Sequence, residues 1–286
     1  MTPLYRVSSG NAELVLAPEL GGAIASLDVG RKPVLRPWDK KNNAPFSLAS
    51  NVLIPFSNRI SKGGFVWRGV RHNLSANMAR EQFPIHGDAF QKVWELDKTS
   101  KNLRLFLRNG AFGPWRYQAE QKFYLSPDNL TIKLTVTNKA NCSLPFGCGF
   151  HPWFPRSFDT KLKFSAKTVW MENEIHLPTN ERNLDSSPNW SFDRLRALPK
   201  NLINNGYTEW NGSALIEQGE DAVSCQVMAS KNLQNAIVYS PNKSSEFFCF
   251  EPVSHPVDAF NLPGTPGLIE LEDGETLTAS MKICWE

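Results

Sequence analysis

The 286-residue sequence is poor in cysteine, in long apolar runs and in net charge. Its five cysteines, at 142, 148, 225, 249 and 284, are odd in number, form no C-x-x-C pair and have no histidine at zinc-finger spacing. That argues against a disulfide framework or a structural metal, and buried free thiols are expected instead. No apolar run approaches the roughly 18 residues of a membrane span, and the opening MTPLYRVSSGNAELVL lacks the basic and apolar regions of a signal peptide. A soluble, cytoplasmic protein is expected. The formal net charge is only +3 and the basic residues are scattered, so neither nucleic acid nor a membrane is an expected partner. G-x-S-x-G and Gly-rich phosphate loops are absent, as are H-x-x-x-H pairs, which leaves no sequence signal for a serine nucleophile, a nucleotide or a metal. No fixed-length repeat, low-complexity tract or Gly/Ser linker divides the chain, and one domain over 1–286 is expected.

What is present is alternation. In NLTIKLTVTN, Leu130, Ile132, Leu134 and Val136 alternate with polar residues, the pattern of a strand with one buried face. The same period recurs in NLRLFLRNG and in the closing LTASMKICW. LVLAPELGGAIASLDV, LKFSAKTVWM, VSCQVMAS, NAIVYS and EFFCFEPV read as further strands between turn residues. Only FDRLRALPKNLI, 192–203, has a helical period, and Pro199 limits it to a turn or two. The expected fold class is all-β, a large antiparallel sandwich or barrel.

The chemically useful residues are few. His72 and His176 lie in polar stretches and read as surface or structural residues. His86, in FPIHGDAF, precedes a glycine where the chain can turn. His151, in GCGFHPWFP, is biased to an extended backbone by Pro152 and is followed by Trp153 and Phe154. Glu251 follows the apolar SEFFCF, and a carboxylate at the end of a buried strand is paired, hydrogen-bonded or functional. Arg59, ending another apolar run, is its expected salt-bridge partner. With nucleophiles and metals set aside, acid–base chemistry by histidine and glutamate remains.

In their order along the chain, LGGAIASL, NVLIPFSNRI, FPIHGDAF, GCGFHPWF, FEPVSHPVDAFN and DGETLTASM closely resemble the aldose 1-epimerase (galactose mutarotase) family over nearly the whole length. The resemblance implies a galactose mutarotase-like supersandwich, a small-molecule aldose as partner, no cofactor and no metal, in a monomer or homodimer. It implies that Glu251 is the general base, His151 the general acid and His86 a histidine orienting the sugar near its ring oxygen, with Arg59 donating to sugar hydroxyls. Trp153, two residues from His151, is expected to line the sugar site; Trp67 and Phe90 are further aromatic candidates. Many members carry an aspartate three residues before an aromatic where this chain reads LINNGYTEWNG. Counting back from Tyr207 places Asn204 there, or Asn205 with a one-residue slip. A hexose-6-phosphate substrate would need cations, for which Arg80 and Lys62 are available. A non-catalytic sugar binder is a second alternative, and a glycoside hydrolase with Asp258 as second carboxylate a third.

Overall fold

In the computed structural model, described over residues 3–44, 46–97 and 103–286, NLTIKLTVTN is the strand Asn129–Asn138. Leu130, Ile132, Leu134 and Val136 are at most 2% exposed, while Lys133 faces solvent. Each such aliphatic side chain removed from water contributes about 1.5–3 kcal/mol. The strand pairs antiparallel with Trp115–Leu125 on one side and Thr276–Cys284 on the other, inside a nine-stranded sheet.

A second, eleven-stranded sheet lies against it. Along its middle run the strands Ser50–Leu53, Gly149–Pro155, Phe247–Val253, Asn235–Ser240, Ile203–Thr208 and Thr168–Glu172. Phe150, Phe154, Phe248, Phe250 and Val238 share one apolar cluster with Leu105, Leu134 and Met281 of the nine-stranded sheet. One face of the large sheet is thus committed to the common core. Because side chains alternate along a strand, the intervening residues project from the opposite face.

The segment 192–203 contains no helix. It holds a two-residue strand, Arg196–Ala197, and leads into Ile203–Thr208, with Phe192 buried against Phe164. Packing against the sheet overrides a weak local helical period. Among the described residues the helical elements are two one-turn 3-10 segments, Ala89–Gln91 and Ala259–Asn261. No helix among the described residues is long and apolar enough to cross a membrane. Of the cysteines, 148, 225 and 249 are buried free thiols, whereas Cys142 is exposed.

Candidate active site

Strand register assembles the outer face of the large sheet. Gly149 pairs with Val253 and Trp153 with Cys249, which sets His151 opposite Glu251. On the other side of its strand His151 pairs with Asn51, and Glu251 pairs onward with Ile237. The adjacent cross-strand row runs Trp153, Cys249, Tyr239 and Asn204. Residues far apart in sequence therefore meet because the pleat sends every second side chain to this face.

Above these rows lies a cleft of about 490 Å³, lined by His86, His151, Glu251, Arg59, Trp153 and Asn204 together with Phe46, Met78, Arg80, Glu81, Ile175, His176 and Tyr239, among others. All six residues singled out in the sequence border this one space. Trp67 and Phe90 do not; Phe90 lies behind Phe46, the two rings stacked at 4.8 Å. Lys62 and Asp258 are also outside the lining.

His151 and Glu251 are 5% and 3% exposed, and Nε2 of the imidazole is 3.5 Å from Oε1 of the carboxylate. Burial pushes Glu251 up to about 8, against a smaller opposing pull from Arg59, and pushes His151 down to about 3, with Arg36 adding to the fall. Each shift disfavours a charge in a dry site. Together they favour an uncharged pair, neutral imidazole beside protonated carboxyl, holding one proton between them. His151 Nδ1 and Glu251 Oε2 are buried and make no hydrogen bond within the protein, and neither amide atom of Asn51 does.

Three aromatic contacts hold the imidazole. Trp153 stacks on it at 4.9 Å with an interplanar angle of 9°, Phe46 lies 4.9 Å away, and the His86 ring 5.3 Å away. Arg36 sits 4.1 Å from the Trp153 ring centre and donates from Nη2 to the carbonyls of Phe46 and Leu48. It thereby ties the Phe46 segment to the tryptophan beneath.

His86 has a left-handed backbone, φ +62°, and is followed by Gly87 at φ +65°. A Cβ on Gly87 would stand 2.0 Å from the carbonyl oxygen of Ile54, so only glycine permits this approach. The amide of Asn58 donates to His86 Nδ1 at 3.0 Å, and the amide of His86 donates to the Asn58 carbonyl. With Nδ1 accepting, the neutral ring carries its proton on Nε2, and burial holds it neutral by lowering its pKa well below the usual value.

Arg59 does not pair with Glu251. Its Nε and Nη2 donate to the two carboxylate oxygens of Glu81, both at 3.0 Å, because the loop before His86 swings Glu81 into the cleft wall. Asn77 fastens that loop through Ile85 and Gly87.

At the far end, Asn204 Nδ2 donates to Glu172 Oε2 at 2.8 Å and lies 3.2 Å from His176 Nδ1, which is itself 3.1 Å from Glu172. Burial raises Glu172, opposed by its contacts with His176. His176 is thus a cleft residue rather than a bland surface one. The adjacent Asn205 instead donates to the Trp170 carbonyl.

His255 and Asp258 serve the framework. His255 Nε2 accepts from the Ser57 amide at 3.1 Å, and Nδ1 lies 2.8 Å from the Pro256 carbonyl, so both ring nitrogens are engaged. Gly147 makes room for it, since a Cβ there would come within 2.2 Å of the ring. Asp258 accepts from the Ser61 amide and hydroxyl and from Asn261.

Phe46, Glu81, His176 and Tyr239 were not singled out for the site in the sequence. Only Tyr239 carried a usable signal: its alternation with Ile237 in NAIVYS places both on one face of a strand. The others reach the cleft by loop geometry that has no period.

Comparison with known proteins gives a consistent result. The family model for aldose 1-epimerase matches residues 3–284. An uncharacterised Escherichia coli K12 protein, YphB, is 32% identical over 286 residues, covering 98% of each chain. A crystal structure of a candidate aldose 1-epimerase from Escherichia coli K12 superposes with a TM-score of 0.92 at 31% identity, over 99% of both chains. A galactose mutarotase-like protein from Clostridium acetobutylicum has a TM-score of 0.85 at 20% identity, over 98% of this chain and 94% of its own, which shows the shared fold.

Proposed function

The chain belongs to the aldose 1-epimerase family, and from that premise we propose that it is a cofactor-independent mutarotase interconverting the α and β anomers of a free aldohexose such as galactose or glucose. The observation that carries this reading is the buried imidazole–carboxyl pair at 3.5 Å on the cleft floor. Ring opening needs a base at O1 and an acid at the ring oxygen, and both oxygens are bonded to the same carbon. A base and an acid side by side match that demand. Glycosidases instead hold two carboxyl groups about 5–9.5 Å apart, and the one carboxylate offered for that role, Asp258, is occupied by Ser61.

In the proposed reaction the shared proton first passes from Glu251 to His151; the Glu251 carboxylate then takes the O1 proton, and the O1–H electron pair becomes the second bond of the aldehyde. The C1–O5 bond breaks toward O5, which receives the Nε2 proton of the His151 imidazolium. The open sugar rotates about C1–C2 and closes on its other face, with both transfers reversed. One proton is shared by the pair throughout. The open-chain stage leaves neutral imidazole and protonated carboxyl, the arrangement that burial favours. His86 donates from Nε2–H near the ring oxygen, Arg59 and Asn204 contact hydroxyls, and the Trp153 ring supports the sugar's apolar face.

A free sugar suits the charge balance better than a phosphosugar. A phosphate calls for several cations, and of the two offered for that role Lys62 lies outside the cleft, leaving Arg80 alone. The test is polarimetry on freshly dissolved α-D-galactose, α-D-glucose and α-D-glucose 6-phosphate with wild type and Glu251→Gln. The expected result is accelerated relaxation of at least one free hexose by wild type alone. Acceleration of the phosphosugar alone would overturn the substrate, and acceleration of none would overturn catalysis in favour of a sugar-binding role.

A further inference from the structure

We propose that Cys249, together with His151 and Glu251, forms a binding site for one thiophilic divalent cation, of the Zn²⁺ or Cd²⁺ class, just beneath the floor of the cleft. Cys249 precedes Glu251 by two residues on the same strand, so both side chains leave the same face of the sheet. One ligand atom from each of the three residues lies within 4.8 Å of the others. Among the described residues they form the one such cluster of three or more histidine, cysteine or acidic side chains.

The spacing suits a small tetrahedral ion. Metal–ligand bonds of about 2.0–2.3 Å separate neighbouring ligand atoms by roughly 3.3–3.7 Å. His151 and Glu251 already stand at 3.5 Å. The thiol has to close by about 1 Å, within reach of a side-chain adjustment at bond lengths of this order. A sulfur, an imidazole nitrogen and a carboxylate oxygen form a donor set favoured by zinc and its heavier congener over magnesium or calcium. Three protein ligands leave a fourth position free; His151 and Glu251 line the cleft, whereas Cys249 lies fully buried beneath it.

The polar groups at this spot are also under-used. Glu251 Oε2 and His151 Nδ1 make no internal hydrogen bond, and the two side chains are only 4% and 7% exposed. An ion seated between Nε2 and Oε1 would replace the proton they share, while Nδ1 and Oε2 have no partner in the protein to lose. Binding displaces the thiol proton and any proton on the carboxyl, so two anionic ligands neutralise the dication, and affinity rises with pH. Arg36, the cation packed on Trp153, works against the ion. It is held back by its bonds to the Phe46 and Leu48 carbonyls.

Cation binding stands apart from the mutarotase reading. Its consequence rests on that reading: a cation holding both members of the acid–base pair blocks proton transfer, and free hexose competes with it for the cleft. The closing experiment titrates metal-free protein with Cd²⁺ and follows the ultraviolet thiolate-to-cadmium charge-transfer band. The background is Cys142→Ala/Cys284→Ala, which removes the two thiols that are not buried. The expected result is one Cd²⁺ per chain, with affinity lowered about 100-fold or more by Cys249→Ala, since losing even a group that only orients a ligand costs up to that much. Cys249→Ser and His151→Asn serve as further variants, and thermal melts establish that each is folded. A band absent from the parent, or undiminished in folded Cys249→Ala, overturns the site. Cd²⁺ binding by a protein that accelerates no sugar leaves the site standing and removes the mutarotase reading. Mutarotation without the band does the reverse.

Discussion

Two buried histidines, His255 and His151, show how this fold separates structure from chemistry. Both are at most 5% exposed and both are driven neutral by burial, His255 to about 4 and His151 to about 3. His255 engages both ring nitrogens with backbone groups, and a glycine is kept at 147 to admit it. His151 has one nitrogen without a partner and the other facing a carboxyl whose remaining oxygen is equally unpartnered. A buried polar group left open costs about 1–3 kcal/mol. At His255 the fold avoids that cost; at His151 it accepts it, and the groups stay available to a ligand.

The widest separation between the two regions is expected in activity. Glu251→Gln and His151→Asn should each lower anomer exchange by about 10²–10⁴-fold while leaving a cooperative melt. His255→Ala should do the opposite, losing about 2–4 kcal/mol of stability as the Ser57 amide loses its acceptor and a cavity opens beside Gly147. Urea unfolding distinguishes the two classes. If His255→Ala were as stable as wild type, the comparison would fail.

A smaller effect concerns pH. Because the folded state raises Glu251 from 4.5 to about 8, its protonation stabilises the fold fully below about 4.5, and that contribution is lost as pH rises through about 8. His151, depressed to about 3, contributes stability above 6.5 that is lost as pH falls through about 3. Glu251→Gln removes the first dependence. Its melting temperature should exceed that of wild type at pH 9 and show no such gain at pH 5, the difference being about 1–3 kcal/mol. Mutarotation by wild type should fall about tenfold per pH unit above pH 8, as the pair loses its shared proton.

The smallest expected change tests the far end of the cleft. Asn204 sits 2.8 Å from the Glu172 carboxylate, so Asn204→Asp places two carboxylates together. It should weaken sugar binding by about 1 kcal/mol, and Glu172→Gln added to it should recover most of that. Saturation kinetics of the four proteins measures the coupling; additive effects would show that Glu172 does not govern this position.

Much of this arrangement could be read before any coordinates. The alternation in NLTIKLTVTN marked a one-sided strand to the residue, because period-2 burial is written directly in side-chain polarity. The residues around His86, His151 and Glu251 were marked by their setting in apolar, turn-flanked segments. The partner of Arg59 was misassigned, because Glu81 arrives on a loop whose course depends on Asn77 clasping Ile85 and Gly87. His176 was read as a surface or structural residue for the same kind of reason, since a turn at Asn173 brings it back to Asn204. The segment 192–203 carried a helical period that lost to burial of Phe192 in the core. Strand interiors are fixed by local pattern, whereas loop-borne contacts are set by long-range packing that no window of sequence contains.

The central claim is that His151 and Glu251 act as one unit exchanging a single proton. It is tested most directly by NMR anomer exchange of carbon-13-labelled galactose with wild type, Glu251→Gln, His151→Asn and the double variant. The double variant should lose no more than the worse single, because removing either member disables the pair. Losses that multiply would contradict it and make the two residues independent contributors.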